Sequence, residues 1–458
     1  MAEASVNSEI NWTSDENYVL LNPKFPWESY DFLLNLVYEK IGEFKGHVFI
    51  LSSGTTSNSV QDLKWVALSK SAILAAAEAV NNHIQSTAAD IWLHGLPEFH
   101  VGGVGVRARA FLSGARVVPF SSADEKWPKA KWPEVKWNEF TFAQAIEMHR
   151  ATLTSLVPAQ IYDLVHAGRR CPTSMRVIFV GGGALSPSLY REALNLGWPL
   201  LPTYGMTETC SQVATAELAT ISNIRNGIYT GPGRNLPTEN PPLKVLPHLE
   251  VRLNEDGRIV FKGKALLSGF VYQGPGQTRE LERKQKEKEK GEQEPDENCV
   301  RKGTFVSSAV FDDPKIEGWY TSQDQGVIEN SANRGGIYLK ILGRTSEFVK
   351  IGGESVEVAR LRNILDEVRI RLKTHADIAI LPVPDPRLGH VIHFLSDRNL
   401  SPAIAESLIG DFNSKVLGFE KIRKWHILEN IPRNALGKLV VSECLQSLKP
   451  IANGGENG

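Results

Sequence analysis

The chain has 458 residues, 42% of them hydrophobic and 22% charged, enough to bury a sizeable core in about two or three packing units. Its 51 basic and 52 acidic residues nearly cancel, so no whole-molecule field favours nucleic acid, and a small ligand is expected instead. Cys171, Cys210, Cys299 and Cys444 lack the paired spacing of a zinc site or a disulfide framework, which suits a reducing compartment.

In chain order, Met1 to Trp12 has no basic stretch followed by an apolar one, and no run approaches the roughly 18 apolar residues of a membrane span. A cytoplasmic protein without membrane insertion is expected. From Gly46 to Tyr204, β-rich runs at His47–Leu51, Ile91–Leu93 and Arg176–Val180 alternate with helical patterns over Ser71–Ile84, Gly105–Leu112 and Pro187–Leu194. That rhythm predicts an α/β fold whose βα units feed a largely parallel sheet, with Gly114 and Gly168 placed as left-handed helix caps. In such sheets ligands sit beyond the carboxyl ends of strands, where Ser52–Thr56, Gly181–Gly183 and Tyr204–Thr209 fall. Three turns therefore converge on one crevice.

After Gly231 the texture turns to strands, with Asn254-Glu255-Asp256-Gly257 as a hairpin signal between Glu250–Leu253 and Arg258–Lys262. The expected division is a large N-terminal domain over 1–343, with a small β subdomain at about 231–343, and a small α+β C-terminal domain over 344–458. Gln277 to Asn298 is almost wholly polar and charged and reads as a mobile insertion or an exposed helix.

Ser52-Ser53-Gly54-Thr55-Thr56-Ser57 follows the apolar run Val48–Leu51, so its N–H groups and hydroxyls suit phosphate oxygens, although by itself such a loop is more often a plain turn. It is not the Walker type, which requires G-x-x-x-x-G-K-[ST]. Together with Tyr204–Thr209 and Lys438 it supplies groups suited to a nucleotide, a metal and an acyl phosphate, the requirements of carboxylate activation.

These stretches, with Leu96–Gly103, Gly318–Asp324, Gly343-Arg344, Gly352-Gly353-Glu354 and Pro432–Lys438, stand in the order found in the adenylate-forming superfamily of acyl-CoA synthetases, which the chain resembles from about Gly46 to Leu448. Within that superfamily it is most similar to the o-succinylbenzoate-CoA ligases of menaquinone synthesis. The resemblance implies an ATP- and Mg²⁺-dependent enzyme that joins a carboxylic acid to AMP and then to coenzyme A. It also implies a mobile C-terminal domain and leaves a homodimer open.

Residue by residue, the resemblance makes Ser52, Ser53, Gly54, Thr55 and Thr56 the phosphate loop. Gly182, Gly183 and Ala184 lie along the adenine with Tyr204 on its other face, and Gly205 belongs to the same turn. Thr207 meets the α-phosphate and Glu208 holds Mg²⁺, although a carboxylate there also suits a helix N-terminus. Asp324 takes the ribose hydroxyls with Arg344 beside it, where the bland reading of that aspartate is a turn residue. Lys438 neutralises the crowding oxygens during adenylation, against the usual reading of a surface lysine. His100, read as lying at a strand end between Phe99 and Val101, gates the meeting of the acyl and thiol channels, unless it is an ordinary core histidine. Glu347 is the pivot, Lys350 faces the site during thiol transfer, and Gly352 and Gly353 let the pantetheine arm pass.

The acid itself is read from Arg107 and Arg109, two cations on a helix expected to be buried, and from Ser211. Arg109 matches an arginine of the o-succinylbenzoate enzymes and suits a second carboxylate, whereas an ion pair with Asp90 or Glu98 is the structural alternative. A ligase for another aryl or short-chain acid, or a non-catalytic nucleotide-binding homologue, are the rival functions. The chain departs from the family in Ser57, in the spacer Asn58–Leu63 before Lys64, in Gln323, in a reduced N-terminal part and in the 277–298 insertion.

Overall fold

The computed structural model describes residues 4–22, 27–51, 63–120, 137–221, 237–274, 309–330, 335–344, 348–351, 354–385, 388–434 and 437–448. Among these, no helix is long and apolar enough to cross a membrane. The chain begins with strands β1 (Ala4–Val6) and β2 (Asn17–Leu20), helix α1 (Trp27–Lys40), and strands β3 (His47–Leu51) and β4 (Trp65–Ser69). There follow α2 (Lys70–Ile84), β5 (Ile91–His94), α3 (Val101–Ser113), β6 (Arg116–Pro119), α4 (Glu139–His149) and β7 (Leu153–Leu156). Next come α5 (Pro158–His166), β8 (Val177–Val180), α6 (Pro187–Asn195) and β9 (Leu200–Met206).

Strands β6, β5, β7, β8 and β9 lie side by side and parallel. Of these, β8 is apolar and buried along its length because helices cover both faces of the sheet. Ile178 and Val180 of β8 point into a core shared with α4, α5 and α6, whereas Val177 and Phe179 point into one shared with α2 and α3. Ser186 caps α6 by accepting from Leu189 N–H, and Pro187 at the first helical position fits a site whose N–H needs no partner.

The chain continues through β10 (Ser211–Ala216), β11 (Leu243–Val245), β12 (Leu249–Leu253), β13 (Arg258–Gly263), β14 (Gly269–Gln273), β15 (Ala309–Asp312), β16 (Tyr320–Asn330) and β17 (Ile337–Arg344). The expected hairpin is β12–β13, with Leu249 opposite Gly263. These strands do not close on themselves. Five of them, with β10, extend the parallel sheet to eleven strands, and β14 and β15 join β1 to β4 in a six-stranded sheet.

The third sheet is built from β18 (Phe348–Ile351), β19 (Glu354–Glu357), β20 (Ile378–Asp385), β21 (Gly389–Ser396) and β22 (Ile422–Ile427). Helices α7 (Val358–Arg371) and α8 (Pro402–Ser414) cover it over a separate core that includes Leu361, Leu365, Phe394 and Phe412, and α9 (Val441–Ser447) follows.

Three expectations are corrected. The strand His47–Leu51 does not open the parallel sheet; it pairs with β2 and runs antiparallel to β4. The apolar run of β4 passes into α2 with Ser69 serving as both last strand residue and N-cap, so no turn signal separates them. His100 caps a helix and does not end a strand. That helix also begins four residues before the expected Gly105, because its glycines read as a loop. Gly103 is required there, since a Cβ would stand 2.3 Å from the Pro97 carbonyl oxygen.

Candidate active site

Strand β9 ends in a tight reversal into β10, with Met206 opposite Ser211 and Gly205 opposite Gln212. Thr207–Thr209 forms a single 3₁₀ turn, and Cys210 and Ser211 both take positive φ, 54° and 106°, uncommon for residues with a side chain. A Cβ at Gly205 would lie 1.6 Å from the Ser211 carbonyl oxygen, so only glycine fits. Gly205→Ala is expected to cost about 1–3 kcal/mol or more by overpacking, read as a lower thermal midpoint together with lost activity.

Around this turn the structure gathers residues from distant segments. The Tyr204 hydroxyl donates to Asp324 Oδ2 at 2.7 Å, and Arg344 Nε lies 3.2 Å from Asp324 Oδ1, the two residues facing each other across β16 and β17. The Asp324 N–H donates to Ser322 Oγ, which in turn donates to the Ile259 carbonyl at 2.8 Å. Asp324 therefore sits within a strand, and the turn reading does not hold. Both carboxylate oxygens retain lone pairs for further donors.

Burial raises the Glu208 carboxyl above its ordinary value; Arg344 opposes the rise and Asp324 adds to it. Burial likewise pushes the Tyr204 phenol up, reinforced by Asp324. A desolvated carboxylate beside a second acid is a place where a divalent cation lowers the local cost. Among the described residues no group of three or more His, Cys, Asp or Glu side chains is placed to hold a metal ion.

Gly181 to Gly183 follow β8 as expected. Gly182 has φ 76°, and a Cβ at Gly181 would press to 3.0 Å from the Thr203 methyl group. Ala184 completes the loop before α6 and is exposed, while Thr207 is half-buried.

Lys438 arrives from the C-terminal part. Its N–H donates to Asn434 Oδ1 at 3.0 Å, and Asn434 N–H donates to its carbonyl at 2.8 Å, closing a small loop. Gly437 takes φ 74°, and a Cβ there would be 3.2 Å from the Ala159 Cβ at the start of α5. Lys438 also bears on His100. Burial, with the Lys438 charge, lowers the imidazole to about 4, so it is neutral near pH 7. The buried His100 Nε2 has no hydrogen-bond partner among the described residues. A base this weak suits gating better than proton abstraction.

The two arginines separate. Arg107 pairs with Glu98 at 2.6 Å, and Asp90 is taken by Arg176 at 2.7 Å. Neither acid serves Arg109, so the structural alternative for that residue is corrected. Arg109 is 2% exposed, with Nη2 3.3 Å from Ser211 Oγ and its guanidinium 5.3 and 5.8 Å from the ring centroids of Phe179 and Trp92. Its Nε has no partner among the described residues, and burial lowers its pKa to about 9. The absence of a side chain at Gly105 leaves the guanidinium its room, since a Cβ would stand 3.1 Å from Nη2.

Ser52, Ser53, Gly54, Thr55, Thr56, Glu347, Gly352, Gly353 and the 277–298 insertion lie outside the described residues, as does the Lys350 side chain. Residues that sequence reasoning left unassigned are Ser322, which holds the Asp324 backbone, and Arg433, which pairs with Asp377 at 2.7 Å and donates to the Gly437 carbonyl at 3.0 Å. Both stand inside motifs already singled out, so their position was visible and only their role was not.

Residues 33–271, just over half of the chain, match the family described as AMP-binding enzyme. A 2-succinylbenzoate–CoA ligase of Bacillus pumilus is 25% identical over 76% of this chain and 59% of its own length. The chain thus spans about three-fifths of the length of the curated relatives it matches. The o-succinylbenzoate CoA synthetase of Bacillus subtilis in complex with the acyl-adenylate intermediate OSB-AMP superposes with a TM-score of 0.65 at 20% identity, covering 94% of this chain and 83% of that one. The same enzyme in complex with ATP and magnesium ion superposes with a TM-score of 0.63 at 20% identity, covering 93% and 84%. The fold is shared with these structures.

Proposed function

The chain belongs to the AMP-binding enzymes, and from that premise we propose that it is an ATP- and Mg²⁺-dependent acid:CoA ligase whose acid is o-succinylbenzoate. The observation that carries the reading is the meeting of Tyr204, Glu208, Asp324 and Arg344 at one turn, with Lys438 brought within electrostatic reach of His100. The names of the similar proteins support the same assignment.

In the first half-reaction a carboxylate oxygen bonds to the α-phosphorus of ATP, and the bridging P–O bond breaks with its electron pair leaving on pyrophosphate. In the second, the coenzyme A sulfur bonds to the acyl carbon, AMP leaves with the C–O electron pair, and the thiol proton passes to solvent. Two anions must approach in the first step, so the chain has to supply positive charge and orientation. Lys438 supplies the charge, Asp324 the ribose acceptors, Thr207 a hydroxyl for the α-phosphate and the Gly182–Ala184 loop a flat wall for the base. Glu208 would hold Mg²⁺, whose chemistry when bound is to offset phosphate charge. His100, neutral and apolar on one face against Phe99, screens the acyl end from water.

Arg109 rather than Arg107 is assigned to the second carboxylate of the acid, with Ser211 beside it, since Arg107 is already neutralised by Glu98. The division at 343/344, the pivot at Glu347 and the thiol-transfer roles of Lys350, Gly352 and Gly353 belong to the same proposal. Incubation with ATP, Mg²⁺, coenzyme A and o-succinylbenzoate is expected to give AMP and an acyl-CoA thioester by mass spectrometry. Nucleotide binding without either product would favour the non-catalytic homologue.

A further inference from the structure

Helix α5 carries Ala159, Tyr162 and His166 at spacings of three and four residues, which places them on one face. All three meet the C-terminal part of the chain. Ala159 lies against Gly437, and the Tyr162 hydroxyl donates to the Thr374 carbonyl at 3.1 Å. His166 Nε2 is 3.0 Å from that hydroxyl and 3.2 Å from the same carbonyl. The His375 ring packs edge-on against His166 with centroids 4.2 Å apart, and the Arg369 guanidinium lies 4.0 Å from the Tyr162 ring centroid. Ile370 packs against the core that α5 and α6 share.

A short path leads from this contact to Lys438. Three residues beyond Thr374, Asp377 accepts from Arg433 at 2.7 and 3.1 Å, and Arg433 donates to the Gly437 carbonyl at 3.0 Å. Movement of Thr374 relative to α5 would therefore be passed to the neighbouring lysine.

We propose that this face of α5 is the dock that positions Lys438 for adenylate formation, with Tyr162 and His166 as positioning residues acting through Thr374, Asp377 and Arg433. The proposal rests on the ligase reading above. A dock of this kind also responds to pH. Burial, the His375 ring and Arg369 lower the His166 pKa, while the Thr374 carbonyl raises it. Tyr162 and Asp163 stand on the same helix, Asp366 of α7 bears on Tyr162, and Arg191 and Glu192 of α6 bear on each other, with Lys373 acting on Glu192. An undocked imidazole binds protons more readily than the docked one, so docking is favoured most above the ordinary value of about 6.5 and weakens as pH falls below it.

The test uses the full chain and three readouts: adenylate formation, thioester formation from supplied acyl-AMP, and radius of gyration by small-angle scattering. His166→Arg places a permanent charge against His375 and Arg369. It is expected to slow adenylate formation roughly tenfold or more, leave the second half-reaction within about twofold and expand the molecule. His166→Gln, neutral and still able to hydrogen-bond, is expected to retain adenylate formation and flatten its decline on acidification. Unchanged scattering and adenylation in His166→Arg, or equal slowing of both half-reactions, would overturn the dock. A wild-type chain that adenylates no acid defeats the functional reading instead, and the scattering comparison then decides the dock by itself.

Discussion

Lys438→Ala is expected to lower adenylate formation about 10²- to 10³-fold, the loss of about 2.7–4 kcal/mol typical of removing one preorganised donor at developing charge. Thioester formation from supplied acyl-AMP is expected to survive largely intact. The asymmetry follows from where the lysine sits. Its loop is closed by Asn434 and held through Gly437 and Arg433 by contacts with α5 and Asp377, a single pose in which its charge reaches His100. An ammonium in that pose can serve the step that crowds anions together and has no task once pyrophosphate has left. Rapid-quench measurement of the two halves separates the cases, and equal damage to both would contradict the alternation of domain poses.

Arg109→Met is expected to act in opposite directions on stability and function. The guanidinium is buried, its Nε lacks a partner among the described residues, and no ion pair to it is formed among them. Burial lowers its pKa to about 9, so at pH 7 it remains charged and the fold bears the cost of desolvation. Exchange for an apolar side chain of similar length is expected to stabilise the protein by about 1–3 kcal/mol, as when buried charges give way to hydrophobic groups. The same exchange is expected to reduce kcat/KM for the dicarboxylic acid about 100-fold, equal to about 2.7 kcal/mol, because the second carboxylate loses its partner. Thermal unfolding and steady-state kinetics check the two signs. A destabilised variant with unchanged acid preference would return Arg109 to a purely structural part.

Part of the candidate site's geometry was legible because a tight turn and facing strands demand particular residue types in short runs. Gly205 cannot be replaced without meeting the Ser211 carbonyl, and Asp324 and Arg344, each from a different short motif, face one another across two strands. The parallel sheet was legible for a related reason: strands covered on both faces, such as Val177–Val180, leave continuous apolar runs. What escaped notice depended on pairing at long range. The run Trp65–Ser69 is apolar enough for a strand, but it enters a helix without a break, and of its two partners only β3 is near in sequence while β14 lies about 200 residues further along the chain. Arg107 and Arg109 stand two residues apart in sequence, and that they meet different partners, Glu98 and Ser211, is visible only in space. The face of α5 reads as an ordinary amphipathic helix, and the partner that gives it meaning, Thr374, is 212 residues away from Tyr162.

The central claim is that these residues activate a carboxylic acid with ATP. Acid-dependent release of pyrophosphate, measured across a panel of aromatic and short-chain mono- and dicarboxylic acids, tests it most directly. The account expects release that requires an acid and Mg²⁺ and is fastest with o-succinylbenzoate. Release with every acid at the same rate would contradict the assignment of Arg109, and no release with any acid would contradict the proposed reaction itself.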